Sequence, residues 1–185
     1  MADLIYVTNV SLDGYIEDEH GAFDWTDPSD EVFGFLTDLI RPVGTYLYGR
    51  RLYEAMAVWE TDPALAGQST LMAEFANVWQ AAAKVVYSAT LDAVATADTR
   101  LEHRFDPDTV RAMKAAADRD LMIGGAEIAA HAFDEGLVDE CHLVVWPVVL
   151  GAGKPAFAGG RVELDLQDER RFGSGAVYLR HRTRR

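Results

Sequence analysis

Apolar and polar positions fall into short blocks along the chain, each with its own period. "LIYVTNV" (4–10) is a nearly continuous apolar run of strand length. "DPSDEVFGFLTDLIRP" (27–42) instead places Val32, Phe35, Leu36 and Leu39 at helical spacing. Asp27 is the expected N-cap of that helix and Pro28 its first helical residue, with acids in the first turn. "TYLYG" (45–49) reads as a second strand, and "RRLYEAM" (50–56) opens a short helix directly after its glycine. Residues 58–70 look irregular, "LMAEFANVWQAA" (71–82) is helical, and "KVVYS" (84–88) is a third strand.

"DPDTVRAMKAAADR" (106–119) repeats the Asp-Pro helix start, with Val110, Met113 and Ala117 facing inward. "DLMIGG" (120–125) is a buried strand, followed by the helix "AEIAAHAFDEG" (126–136), which Gly136 closes as a left-handed cap. After it the rhythm changes. "VDECHLVVWPVVLG", "RVELDLQDERRF" and "AVYLRHRT" are strand-like, with no long helix between them. Alternation of strand and helix predicts a mainly parallel sheet flanked by helices, and the late strands add antiparallel edges. The expected fold class is therefore α/β, as a single domain over residues 1–185 with no repeat or linker.

Composition narrows the function classes. About half the residues are hydrophobic, and the formal charge of −13 argues against a nucleic-acid-binding or membrane-binding surface. The single cysteine, Cys141, lies in the apolar run "DECHLVVW" and reads as a buried, inert thiol. No charged and apolar leader stands at the N-terminus, and no apolar run reaches membrane-spanning length, so a cytoplasmic protein is expected.

Three strands end in small or hydroxyl residues: "YLYGRR", "VVYSAT" and "LMIGGAE". Open α/β sheets bind ligands beyond the carboxyl ends of their strands, where helix N-termini present unpaired N–H groups. Gly49, Gly124 and Gly125 permit close backbone approach, and Arg50 and Arg51 suit phosphate oxygens. The three junctions together fit an extended, phosphate-bearing cofactor. No G-x-G-x-x-G follows a strand, and "LGAGKP" fails as a P-loop because Val148 and Pro155 stand where Gly and Ser/Thr are needed. The histidines form no metal-ligand pattern; Glu127 and His131 lack a third ligand.

Two carboxylates compete for a catalytic role. Asp30 lies about 160° around its helix from the apolar stripe, on the side of Phe33 and Thr37, and is either a first-turn acid or a pocket carboxylate. Asp13, inside "SLDGY", is either a turn-former or a catalytic acid. "SLDGYIEDEHGAFDW" itself is polar and broken by glycines, yet rich in large apolar side chains, which fits a lid over something bound.

The motifs "SLDGYI", "GRRLYE", "KVVYSATL" and "MIGGAEIAAHAFDEGLVDECHLVVWPVVLGAGKPAF" together resemble the dihydrofolate reductase-like superfamily. Within it they resemble most the riboflavin-biosynthesis reductase branch, the RibD C-terminal domain family. The resemblance covers nearly the whole chain and implies a stand-alone reductase domain acting on a small nitrogen heterocycle of pyrimidine or pterin type. A homodimer is expected separately, because "AVYLRHRT" and "RVELDL" carry more apolar side chains than an exposed edge tolerates. The resemblance also implies NADPH as cofactor. Gly49, Arg50 and Arg51 would meet its phosphates, and Ser88, Ala89 and Thr90 its adenosine end. Gly124, Gly125, Ala126 and Glu127 would receive its pyrophosphate. Gly14 and Tyr15 would belong to the lid, with Trp25 and Phe33 on the substrate side and Asp30 as pocket acid. Leu52 departs from the G-R-x-T of folate enzymes and removes one phosphate contact. A non-catalytic, dimeric nucleotide- or small-molecule-binding module on the same fold is the alternative.

Overall fold

The computed structural model describes residues 1–184. In chain order its first half comprises β1 (Leu4–Ser11), β2 (Tyr15–Glu17), α1 (Asp30–Ile40), β3 (Thr45–Gly49), α2 (Arg50–Met56), α3 (Val58–Thr61), α4 (Pro63–Ala66) and α5 (Thr70–Gln80). There follow β4 (Ala83–Tyr87), β5 (Thr99–Glu102), α6 (Pro107–Ala116), β6 (Leu121–Gly124), α7 (Ala126–Asp134), β7 (Glu140–Trp146), β8 (Lys154–Pro155), β9 (Leu164–Arg171) and β10 (Val177–Thr183). The main sheet has the order β5-β4-β3-β6-β1-β7-β10-β9. It is parallel from β5 to β7, and β10 is antiparallel to both β7 and β9. A central parallel sheet carries helices on both faces, so its middle strands must be apolar throughout. Leu4, Tyr6, Leu47, Leu121 and Ile123 accordingly face α6 and α7, while Ile5, Tyr46, Tyr48 and Met122 face α5.

Helix α1 bridges two regions of the core. Its expected stripe packs on the β7–β10 end of the sheet, with Val32 fully buried among Val144, Trp146, Phe172 and Tyr178. Its other flank is not solvated: Phe33 packs in tilted contact against Phe75 and Trp59, with ring centroids 5.2 and 6.0 Å apart. The helix starts later than the Asp-Pro signal implied. Ser29 is the N-cap, its hydroxyl accepting from the Val32 N–H, and Asp27 and Pro28 stay outside. Asp106 does cap α6 as expected, and Gly136 adopts φ +63° beyond α7.

The "irregular" stretch contains the single-turn helices α3 and α4, the latter capped by Asp62. Strand β5 extends the parallel sheet, and β2 and β8 form a separate two-stranded sheet; all three are too short to show a period. The final strand β10 is not an edge: it lies between β7 and β9, and β9 forms the edge with mostly exposed polar residues. Cys141 is fully buried, and burial pushes its thiol up to about 12. Among the described residues no helix is long and apolar enough to cross a membrane.

Candidate active site

A cavity of about 850 Å³ opens where the carboxyl ends of β4, β3, β6 and β1 lie side by side. The strands contribute to the rim Ser88–Thr90 after β4, Gly49 from the end of β3, Gly125 after β6, and Val7–Asn9 from within the second half of β1. At Gly125 it is the backbone conformation that disfavours a side chain. Its φ of +103° is strained for any residue with a Cβ, and that Cβ would lie 3.6 Å from the Gly49 backbone nitrogen. Two bare backbones thus face one another at the mouth of the crevice, and the N-terminus of α7 opens there with the N–H groups of Ala126 and Glu127.

Gly124 has a different reason. It is buried and does not line the cavity, and a Cβ there would come within 2.4 Å of Leu52 Cδ2. Its bareness lets α2 pack against β6, which corrects its expected place beside a pyrophosphate. Leu52, the departure from G-R-x-T, fills that space.

Three cations line the cavity, and each faces a carboxylate that also lines it. Arg50 pairs with Glu54 at 2.8 Å, Arg51 with Glu17 at 3.0 Å, and Lys154 with Glu127 at 2.7 Å. Arg50 is further aimed by its Nη1, which donates to Thr90 Oγ1 at 2.9 Å. The Ser88 hydroxyl accepts from the Leu91 N–H at 3.0 Å and so shapes that loop. The Glu127 side chain reaches Lys154, whose ammonium draws the Glu127 carboxyl below its ordinary range. What α7 offers an anion is therefore its backbone.

The lid is built from two distant segments. Asp13 accepts from the Ser11 hydroxyl and from the N–H groups of Leu150 and Gly151, at 2.7, 3.1 and 2.7 Å. The Ser11 bond is the main cause that lowers its carboxyl from the ordinary range. Ala156 N–H donates to Gly14 C=O, and β2 pairs with β8 through Tyr15↔Pro155 and Glu17↔Lys154. A Cβ on Gly153 would stand 2.0 Å from the Glu17 carbonyl oxygen, so "LGAGKP" needs its glycine to lie against "SLDGYIE". Ile16, Glu17 and Lys154 from this paired unit line the cavity; Asp13, Gly14 and Tyr15 hold it together from outside.

Asp13 is thus a clasp, the turn-forming role open to it from the sequence. Asp30 is exposed on the first turn of α1 and outside the cavity lining, which corrects its expected place as pocket acid. It sits where the helix dipole favours an acid. Trp25 packs with the Val32–Trp146 cluster, and Phe33 backs Trp59, which itself lines the cavity. Sequence reasoning passed over Thr8, Asn9, Phe23, Thr26, Met56, Trp59 and Lys154. The strand-end rule for open sheets would have reached Thr8 and Asn9.

The RibD C-terminal domain family model matches residues 2–178, a span that takes in every element named around the cavity. The chain belongs to that family. Two relatives come from Bacillus subtilis (strain 168). Uncharacterized protein YyaP is 32% identical over 181 residues, 92% of this chain and 89% of that protein. Uncharacterized protein YwjB is 29% identical over 182 residues, 96% and 95% of the two chains. Among solved structures, a Shewanella sp. PV-4 protein named for riboflavin biosynthesis matches with a TM-score of 0.76 at 22% identity, covering 100% of both chains. The Thermotoga maritima diaminohydroxyphosphoribosylaminopyrimidine deaminase/5-amino-6-(5-phosphoribosylamino)uracil reductase matches with a TM-score of 0.65 at 13% identity. That match covers 98% of this chain and 56% of the Thermotoga chain. These likenesses establish the RibD-type reductase fold.

Proposed function

We propose that this RibD C-terminal domain protein is an NADPH-dependent reductase of a small nitrogen heterocycle, of pyrimidine or pterin type. One observation carries the reading: Gly49 and Gly125 face each other across a crevice into which a helix N-terminus opens, with Arg50 already oriented beside it. This cradle, which a side chain would fill, suits a pyrophosphate. Gly49, Gly125 and the N–H groups of Ala126 and Glu127 would hold it, and Arg50, Ser88, Ala89 and Thr90 would hold the adenosine end. When bound, NADPH supplies a hydride to an electrophilic carbon of the substrate. The lid residues Ile16 and Glu17 cover the cavity and keep water from the reacting groups. A reducing compartment, the cytoplasm, suits a chain whose one cysteine is buried and free.

Titration with NADPH, followed by NADPH oxidation against pterins, pyrimidines and flavins, tests the reading. Binding with turnover of one of these rings is the expected result. Binding without turnover of any would make the protein a nucleotide-binding module, and no binding at all would remove the cofactor assignment.

NADPH is expected to bind more tightly than NADH, because Arg50 can make charge-assisted bonds to the extra phosphate. Each such bond is worth about 1.5–3 kcal/mol, so Arg50→Ala should lower the preference about tenfold or more. Arg51→Ala should reduce it less, since Arg51 is engaged with Glu17 of the lid. Equal affinities for the two cofactors in the native protein would contradict the assignment of Arg50.

We also propose a homodimer formed through the β9–β10 end of the sheet. Leu166 is 52% exposed on edge strand β9, a position an unpartnered edge seldom leaves apolar. Solution scattering should give the mass of two chains at micromolar concentration, and Leu166→Glu should shift it toward one. A native monomer under those conditions would refute the dimer.

A further inference from the structure

Asn9 lies in the carboxyl-terminal half of β1 and lines the cavity, and its amide has a fixed orientation. Trp146 Nε1 donates to Asn9 Oδ1 at 3.0 Å. An indole N–H can only donate, so the bond itself determines which end of the amide is oxygen. Trp146 is buried on the neighbouring strand β7, which makes the anchor rigid. The amide nitrogen has no partner among the described residues, and it is not among their buried unsatisfied atoms. Asn9 therefore presents an unused N–H donor to the cavity.

The charges around it limit what can be received. Among the described residues the cations lining the cavity are Arg50, Arg51 and Lys154, which face Glu54, Glu17 and Glu127 respectively. Met56 lies six residues beyond Arg50 on α2, about 9 Å along the helix, and with Trp59 it forms an end without a cation. A phosphate on the substrate would have to share these three cations with the phosphates of the cofactor, which leaves it short of positive charge at the Met56–Trp59 end. Trp59 and the Asn9 amide line the same cavity and together suit a neutral ring that bears a carbonyl.

We propose, resting on the reductase reading above, that the cavity takes its substrate as an uncharged, carbonyl-bearing ring received by Asn9, and not as a phosphorylated compound. The decisive variant is Asn9→Asp, which keeps an oxygen for Trp146 and turns the cavity-facing donor into an acceptor. The probes are 5,6-diaminouracil, its analogue 2,4,5,6-tetraaminopyrimidine, in which amino groups replace both carbonyls, and 5-amino-6-(5-phosphoribosylamino)uracil. Each is titrated by calorimetry into native and variant protein, with and without NADPH, at mildly alkaline pH where the tetraamine is neutral.

The native protein should bind diaminouracil roughly tenfold more tightly than the tetraamine, and Asn9→Asp should reverse that order. A purely structural role for Asn9 would weaken both rings together. The ring order is read without NADPH as well as with it, and NADPH binding is scored on the native protein, because β1 adjoins β6 and the new charge of Asn9→Asp stands beside the strand end that carries Gly125. An unchanged ring order in Asn9→Asp, or tighter binding of the phosphoribosyl compound, would overturn the proposal. If NADPH fails to bind while the ring order reverses, the reductase reading falls and the ring site stands. If NADPH binds and is oxidised while the order is unchanged, the ring site falls alone.

Discussion

Asp139→Asn should destabilise the fold by about 3–5 kcal/mol, the usual cost of leaving one partner of a buried ion pair uncompensated. The Asp139 carboxylate faces the ammonium of Lys114, and their side chains are 2% and 6% exposed. It also accepts from the Leu4 N–H at 2.8 Å, while Lys114 donates to the Leu137 carbonyl at 2.7 Å. These bonds tie the start of β1, the end of α6 and the approach to β7 into one joint at the amino end of the sheet. For a chain of this size the loss corresponds to a fall in Tm of roughly 6–20 °C. The active-site cavity lies at the opposite end of the strands, so ligand affinity in the remaining folded protein should be unchanged. Denaturant titration checks the magnitude. The double variant Lys114→Met/Asp139→Leu should recover most of the loss, because apolar replacement of both partners is often neutral. A loss below about 1 kcal/mol in the single variant would mean that water reaches the pair and screens it.

Nothing in the sequence announces that joint. "VRAMKAA" gives Lys114 the helix position next to the inward-facing Met113, and only the packing of α6 over the sheet buries it. The strands β1, β3, β4, β6 and β7 were legible because a parallel strand under two layers of helices has to be apolar on both faces. The helices were legible from their period and caps. The Asp-Pro pattern pointed to Asp27 as the cap of α1, but the cap used is Ser29, three residues before the fully buried Val32. Strands β2 and β8 owe their form to each other across about 140 residues, a pairing that no local window contains.

The site divides along the same line. Gly49, Arg50, Ser88 and Gly125 were legible because strand–helix junctions in an open sheet point to one place. Asp30 was not, since a spacing of five residues after Trp25 says nothing about which way the first turn of α1 faces. Asp13 shows the opposite case. Its motif is distinctive because the lid requires it, with three donors converging on one carboxylate to join segments that are remote in sequence. Glu17 and Lys154 then extend that unit to Arg51 and Glu127, so the lid is tied to both sides of the crevice by ion pairs.

Gly125→Val should reduce NADPH affinity at least about 100-fold, the largest effect expected of any single change near the cofactor. The backbone at Gly125 has φ +103°, and its Cβ position points at Gly49, 3.6 Å from the nitrogen and 3.8 Å from Cα. A branched side chain has nowhere to place its methyl groups except in the crevice between the two glycines. Two penalties must be separated. Any side chain at this φ carries backbone strain of about 1–3 kcal/mol, which lowers stability whether or not a ligand binds. Gly125→Ala carries that strain with a single methyl group, so it supplies the reference. Both variants should lose similar stability by denaturant titration while retaining native circular dichroism, and Val should bind NADPH much more weakly than Ala. Equal affinities for the two would show that strain at the start of α7, rather than occupancy of the crevice, controls binding. Native affinity in Gly125→Val would place the pyrophosphate away from the Gly49–Gly125 cradle altogether.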